Sequence, residues 1–160
     1  HSECVAALAA EENAIAMLPQ PFVTTAQAKN EGIRVALDLN EEWEKLSSEG
    51  DQKATLITGV VVARKEFTEE HPALVQQFLK EYEASVDYVN SDTEGAAALV
   101  GSYDIVPEAV AKKALPECNI TFVAGAELKE KLSGYLQVLF DQNPKAIGGK
   151  LPGDDFYYGG

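Results

Sequence analysis

Thr55-Leu-Ile-Thr-Gly-Val-Val-Val-Ala-Arg64 is the most strongly patterned stretch of the chain, nearly all apolar and β-branched. β-Branched side chains are stiff at χ1 and fit a pleated surface, and a near-continuous apolar run is what a strand buried on both faces requires. Residues 55–64 are therefore expected to form a central strand. Immediately upstream, Ser47-Ser-Glu-Gly-Asp-Gln-Lys53 is polar, contains a glycine and has no periodicity, which predicts a linker.

Before that linker, strand and helix signals alternate. Residues 4–10 read as the end of a helix, and residues 14–18 (AIAML) form an apolar run too short for a helix, as a buried strand would. Pro19 and Pro21 end it, and a helix is expected from Phe22 to about Lys29. Asn30-Glu31-Gly32 is turn chemistry, and residues 33–39 (IRVALDL) predict a second strand. Asn40 is expected to cap a short acidic helix over 41–46.

After residue 64 the chain reads as mostly helical. Pro72 suits a first helical turn, and Leu74, Phe78, Tyr82, Val86 and Val89 then share one stripe. Asp92 is placed to cap a second helix, and Pro107 opens a third that ends near Leu115. Residues 119–123 (NITFV) predict a brief extended segment, and Leu128, Leu132, Leu136 and Leu139 mark a last amphipathic helix. The order implies an α/β fold, with a parallel sheet begun in the first third and a helix-rich carboxyl-terminal portion.

Composition narrows the function classes. The 160 residues are 46% hydrophobic and 24% charged, so a packed domain is expected rather than disorder. A formal net charge of -13 repels phosphate backbones and anionic lipid, which argues against nucleic-acid partners. The two cysteines, Cys4 and Cys118, lack metal-ligand spacing and allow either one disulfide or two free thiols. No run approaches the length of a membrane span and no signal segment is present in the chain. The chain opens without Met in the middle of what reads as a helix, which predicts a piece of a longer protein.

Catalytic motifs do not emerge. His71 beside Pro72 reads as an exposed helix-cap residue, and no histidine is placed near a nucleophile. Walker, GxGxxG and GxSxG patterns are missing, and no carboxylate pair stands out for acid/base work. No catalytic residue, metal ligand or cofactor is assigned. Trp43, on the short acidic helix, reads as a half-buried packing residue.

One segment is chemically distinctive. Leu18-Pro19-Gln20-Pro21-Phe22 follows an expected buried strand directly, and an amide side chain sits between two φ-locked prolines. Thr24 and Thr25 begin the next helix, whose free N–H groups suit an anion. In open parallel sheets, ligands bind beyond the carboxyl ends of strands.

With its surroundings, that segment carries a family resemblance. Val5-Ala-Ala-Leu8 followed by Ala14-Ile-Ala-Met-Leu-Pro-Gln-Pro-Phe-Val23 resembles a stretch of the solute-binding proteins of ABC importers, in the nitrate/sulfonate/taurine-like group. Gly59-Val-Val-Val-Ala-Arg-Lys-Glu-Phe67, with His71-Pro72 and Val75-Gln-Gln-Phe-Leu79, is similar to a second segment of that group. Tyr88-Val-Asn90 and Glu94-Gly-Ala-Ala-Ala-Leu99 are similar to a third. The likeness runs in order over about residues 4–140. Departures fall near the expected pocket: Ala10-Glu11 stands where Ser-Gly is usual, Ala14 where an acid often begins the strand, Pro19 where relatives often have Trp, and Gln20 where Glu is usual.

The resemblance implies a type II periplasmic-binding-protein fold, in which two α/β lobes close on a solute. Residues 1–52 would end the second lobe, and residues 53–160 would return to the first lobe and supply its carboxyl-terminal helices. It implies a small-molecule solute, an ABC permease in the membrane, an extracytoplasmic location, and a missing amino-terminal half or an intertwined dimer partner. The ligand-facing residues would be Leu18, Gln20, Phe22, Thr24 and Thr58, with Phe22 packing an apolar ligand face and Gln20 hydrogen-bonding. Two further classes share this architecture: the pyrimidine-precursor synthases of thiamin biosynthesis, whose catalytic His and Cys-rich stretch have no counterpart here, and the effector domains of LysR-type regulators.

Overall fold

The computed structural model describes residues 1–49 and 54–159. Residues 47–49 of the expected linker are helical, and the rest of it, with the boundary at 52/53, lies outside the described residues. The helices, in chain order, are α1 (Ser2–Ala10), α2 (Phe22–Lys29), α3 (Leu39–Glu49), α4 (Lys65–Glu70), α5 (Pro72–Ser91), α6 (Thr93–Ser102), α7 (Glu108–Ala114) and α8 (Gly125–Gln142). Single 3-10 turns follow at Leu115–Glu117, Pro144–Ile147 and Asp154–Phe156. The chain divides into two compact units, one of residues 1–35 and 68–122, the other of residues 36–67 and 123–160.

Most helix ends follow from local chemistry. α2 has the expected limits, and α5 starts at Pro72, which has no N–H to leave unsatisfied in a first turn. The Asp92 carboxylate accepts from the Gly95 amide at 2.9 Å, so it caps α6 as expected. Pro107 precedes α7. The cap of α3 is a correction: Asp38, not Asn40, accepts from the Asn40 and Glu41 amides, at 2.8 and 3.3 Å. The helix therefore starts at Leu39, a turn's fraction earlier than expected, and runs on to Glu49.

The expected strands form no ladder. Residues 14–18, 33–38 and 55–64 contain neither helix nor strand, and no ladder hydrogen bond joins them among the described residues. Many of their apolar side chains are in solvent: Ile15 is 97% exposed, Val62 76% and Leu37 65%. β-Propensity expresses fit to a pleated, half-buried surface, and a strand exists only when a neighbour supplies the other half of each hydrogen bond. The helix-rich portion is as expected; the sheet of the α/β expectation is not formed within the described residues.

In the first unit α1 packs on α2, α2 on α7, α7 on α6, and α6 on α5. Its core is made of small residues: Ala26, Ala96, Ala97, Ala111 and Ala114 are buried with Val5 and Val86. Alanines let the α6 and α7 backbones approach closely. A Cβ on Gly101 would stand 3.0 Å from the Glu108 Cβ and 3.2 Å from the Glu108 backbone nitrogen, so this crossing requires glycine. Lys112 on α7 pairs with Glu94 on α6, and this partner raises the Lys112 pKa. Beside α5, the Asn90 amide donates to the Ile120 carbonyl at 3.0 Å, and Phe122 meets Tyr82 edge-on.

In the second unit Trp43 on α3 joins three segments. Its ring lies 5.4 Å from that of Tyr135 on α8, and its Nε1–H donates to the Ala54 carbonyl at 2.8 Å. Ala54 and Leu132 are buried. Trp43 is thus a half-buried packing residue, as its sequence setting suggests. Lys65 and Lys129 reach Asp155 and Asp154 at 3.3 and 3.1 Å, tying down the last 3-10 turn.

Candidate functional site

A cavity of about 390 Å³ in the first unit opens at the elbow between the 14–18 segment and α2. α2 presents Phe22, Thr25 and Lys29 to it, three positions on one helical face. Val5 of α1 adds an apolar wall, and Asp104, Ile105 and Pro107 of the α6–α7 connection close the far side. Phe22 is half-buried, and its ring lies 4.7 Å from that of His1. Lys29 and Asp104 are exposed and give the rim one charge of each sign. The Thr25 hydroxyl donates to the Pro21 carbonyl at 3.0 Å, leaving its oxygen free to accept.

The α6–α7 connection is shaped by a left-handed residue. The Asp104 amide donates to the Gly101 carbonyl at 3.1 Å, and the Ile105 amide donates to Val100 at 3.2 Å. Asp104 has φ 53°. This is a Schellman closure with aspartate where glycine is usual. It turns the chain so that Ile105 lines the cavity beside Asp104.

The elbow itself is internally bonded. The Gln20 side-chain carbonyl accepts from the Thr24 amide at 3.3 Å and from the Thr24 hydroxyl at 2.9 Å. Gln20 thereby caps α2 from outside the helix, satisfying one of its free N–H groups. Thr24 is only 7% exposed. Its hydroxyl is committed to Gln20, while the Gln20 amide nitrogen keeps both hydrogens available. The Gln20–Pro21 peptide is cis.

Of the residues singled out from sequence, Phe22 lines the cavity, and Gln20 and Thr24 are bonded to each other behind it. Leu18 is half-buried in the approach to the elbow and does not line the cavity. Thr58 is exposed and belongs to the second unit. Lys29, Asp104 and Ile105 escaped sequence reasoning. Lys29 is signalled by its seven-residue spacing from Phe22; the other two reach the cavity only through the left-handed turn.

The two cysteines are free. The Cys118 thiol donates to the Ala114 carbonyl at 3.1 Å, and burial, then neighbouring Glu117, raises its pKa. No group of three or more potential metal ligands occurs among the described residues. No described helix is long and apolar enough to cross a membrane. The arrangement offers apolar contact flanked by one cation and one anion, which suits binding of a small polar organic molecule. In comparisons with protein-family models, curated proteins and solved structures, nothing matches this chain.

Proposed function

We propose that this chain is part of a two-lobed α/β solute-binding protein of an ABC importer, of the nitrate/sulfonate/taurine-like type. It works outside the cytoplasm, captures a small organic or anionic solute between its lobes and delivers it to a membrane permease. The observation that carries the reading is the cavity at the Leu18-Pro19-Gln20-Pro21-Phe22 elbow, walled by the aromatic ring and bordered by Lys29. Phe22 packs the apolar part of the solute and Lys29 attracts its anionic group, while Gln20 holds the start of α2 through Thr24.

Surface bookkeeping supports a further polypeptide, either an amino-terminal half or an intertwined second copy. A compact 160-residue domain exposes about 7,800 Å², and two separate domains of these sizes together expose about 9,400 Å². This protein exposes 11733 Å². However the two units are arranged, the excess of at least about 2,300 Å² is what an obligate interface buries. The strand-type segments 14–18, 33–38 and 55–64 account for much of the apolar part. So does the stripe of α5, where Leu74 and Phe78 stay exposed.

Thermal denaturation against nitrate, alkyl- and aminosulfonates and short carboxylates tests the proposal. One class should raise the midpoint by several degrees at 100 times its Kd, where binding contributes about 2.7 kcal/mol. The rise should vanish in Phe22→Ala. No rise with any solute, in the protein carrying all its natural polypeptide, would sink the reading.

A further inference from the structure

We infer that the groove between α5 and α6 docks a cationic amphipathic helix of a partner polypeptide. The groove is a second cavity of about 380 Å³, walled by Ser85, Tyr88 and Val89 of α5 and by Leu99 and Val100 of α6, with Tyr103 and Ile105 at its end. Leu99, Tyr103 and Ile105 are 49%, 76% and 68% exposed. Contiguous apolar side chains of this size left in water mark an interaction surface. The Schellman turn that sends Ile105 toward the first cavity also holds it at the mouth of this one.

Charge selects the occupant. From residue 80 to residue 111 the sequence has seven Asp and Glu residues and a single cation, Lys80. The Asp92 carboxylate and the Tyr88 phenol both stand beside Gly95 at the closed end of the hairpin, and the pKa of Tyr88 is raised by burial and by that carboxylate. Asp104 sits between Tyr103 and Ile105 at the open end. Glu81, one turn before Ser85 and two before Tyr88, shares their edge of α5. Glu94 is paired with Lys112, and Lys80, one turn before Ala84, is the one cation that α5 contributes, so carboxylates outnumber ammonium groups around the rim of the groove. Such a rim attracts Lys and Arg and disfavours a second copy of a chain with net charge -13.

Backbone chemistry selects the shape. The N–H and C=O groups along α5 and α6 are paired within their helices, so the groove offers no edge for strand addition. An extended segment laid there would lose its own hydrogen bonds to water, whereas a helix satisfies them internally and places side chains at i, i+3 and i+4 into the groove. The inference stands independently of the proposed solute.

Fluorescence anisotropy tests it with a labelled helical peptide of Leu and Lys, leucines on one face, against a scramble of the same composition. The amphipathic peptide should bind at least about tenfold tighter. Leu99→Gln and Ile105→Ser, both at exposed positions that leave the fold intact by circular dichroism, should each weaken it at least about fivefold. Glu81→Gln combined with Asp104→Asn should flatten the salt dependence of binding. Equal affinity for the scramble, or unchanged affinity in Leu99→Gln and Ile105→Ser, would overturn the inference. So would a concentration-dependent dimer by light scattering that Leu99→Gln dissolves, since the groove would then hold a second copy.

Discussion

The side-chain carbonyl of Gln20 accepts two hydrogen bonds from one residue, Thr24, through its amide and its hydroxyl. A residue between two prolines thus sets the start of α2 and the position of Phe22. Gln20→Ala should lower stability by about 1 kcal/mol, the usual worth of a helix cap. Gln20→Glu keeps the acceptor and adds a negative charge near a helix N-terminus, so it should be neutral or slightly stabilising at neutral pH. Denaturant midpoints of the two variants check this; equal losses in both would contradict the cap.

Asp104 occupies left-handed backbone that glycine adopts at no steric cost. Asp104→Gly should raise stability by up to about 1 kcal/mol, and Asp104→Ala should lower it by a similar amount. Chemical denaturation that ranks the variants the other way would show that the Asp104 carboxylate matters more than the turn.

Trp43 is the single tryptophan, so its fluorescence reports the second unit. Trp43→Phe keeps a ring against Tyr135 and loses the bond to Ala54, a cost of about 1 kcal/mol. Trp43→Ala loses both and should cost about 3 kcal/mol. Similar losses in the two would mean that the ring contributes little and the Ala54 bond most.

Burial raises the Cys118 pKa, and Glu117 adds to it. The thiolate is the reactive form, so raising the pKa lowers the reactive fraction at any given pH. In a Cys4→Ser background, alkylation of Cys118 should rise with a midpoint above that of a free cysteine thiol. A midpoint at or below that value would contradict the placement of Cys118 against Ala114.

Much of the helical architecture was legible because helix ends are written locally. Pro72, Asp92 and Pro107 stand where their chemistry predicts, and α2 spans its expected residues. The cap of α3 was misread because Asp38 and Asn40 are both able to cap, and which one does depends on where the helix turns first. Residues 14–18, 33–38 and 55–64 read as strands but are not strands among the described residues, since β-propensity alone supplies no pairing partner. The site was legible only in part for the same reason. Phe22 and Gln20 stand out at the double-proline elbow, whereas Ile105 reaches the cavity through a turn whose glycine is replaced by aspartate.

Hydrogen exchange of residues 14–18, 33–38 and 55–64 tests the central claim most directly, read on this chain alone and on the protein with all the polypeptide it naturally carries. The account predicts exchange within seconds in the isolated chain, where these segments have no ladder, and strong protection of all three in the complete protein, where they become sheet strands of the lobes. Fast exchange in both states would contradict the two-lobed reading, because the strand-type sequences would then never be strands.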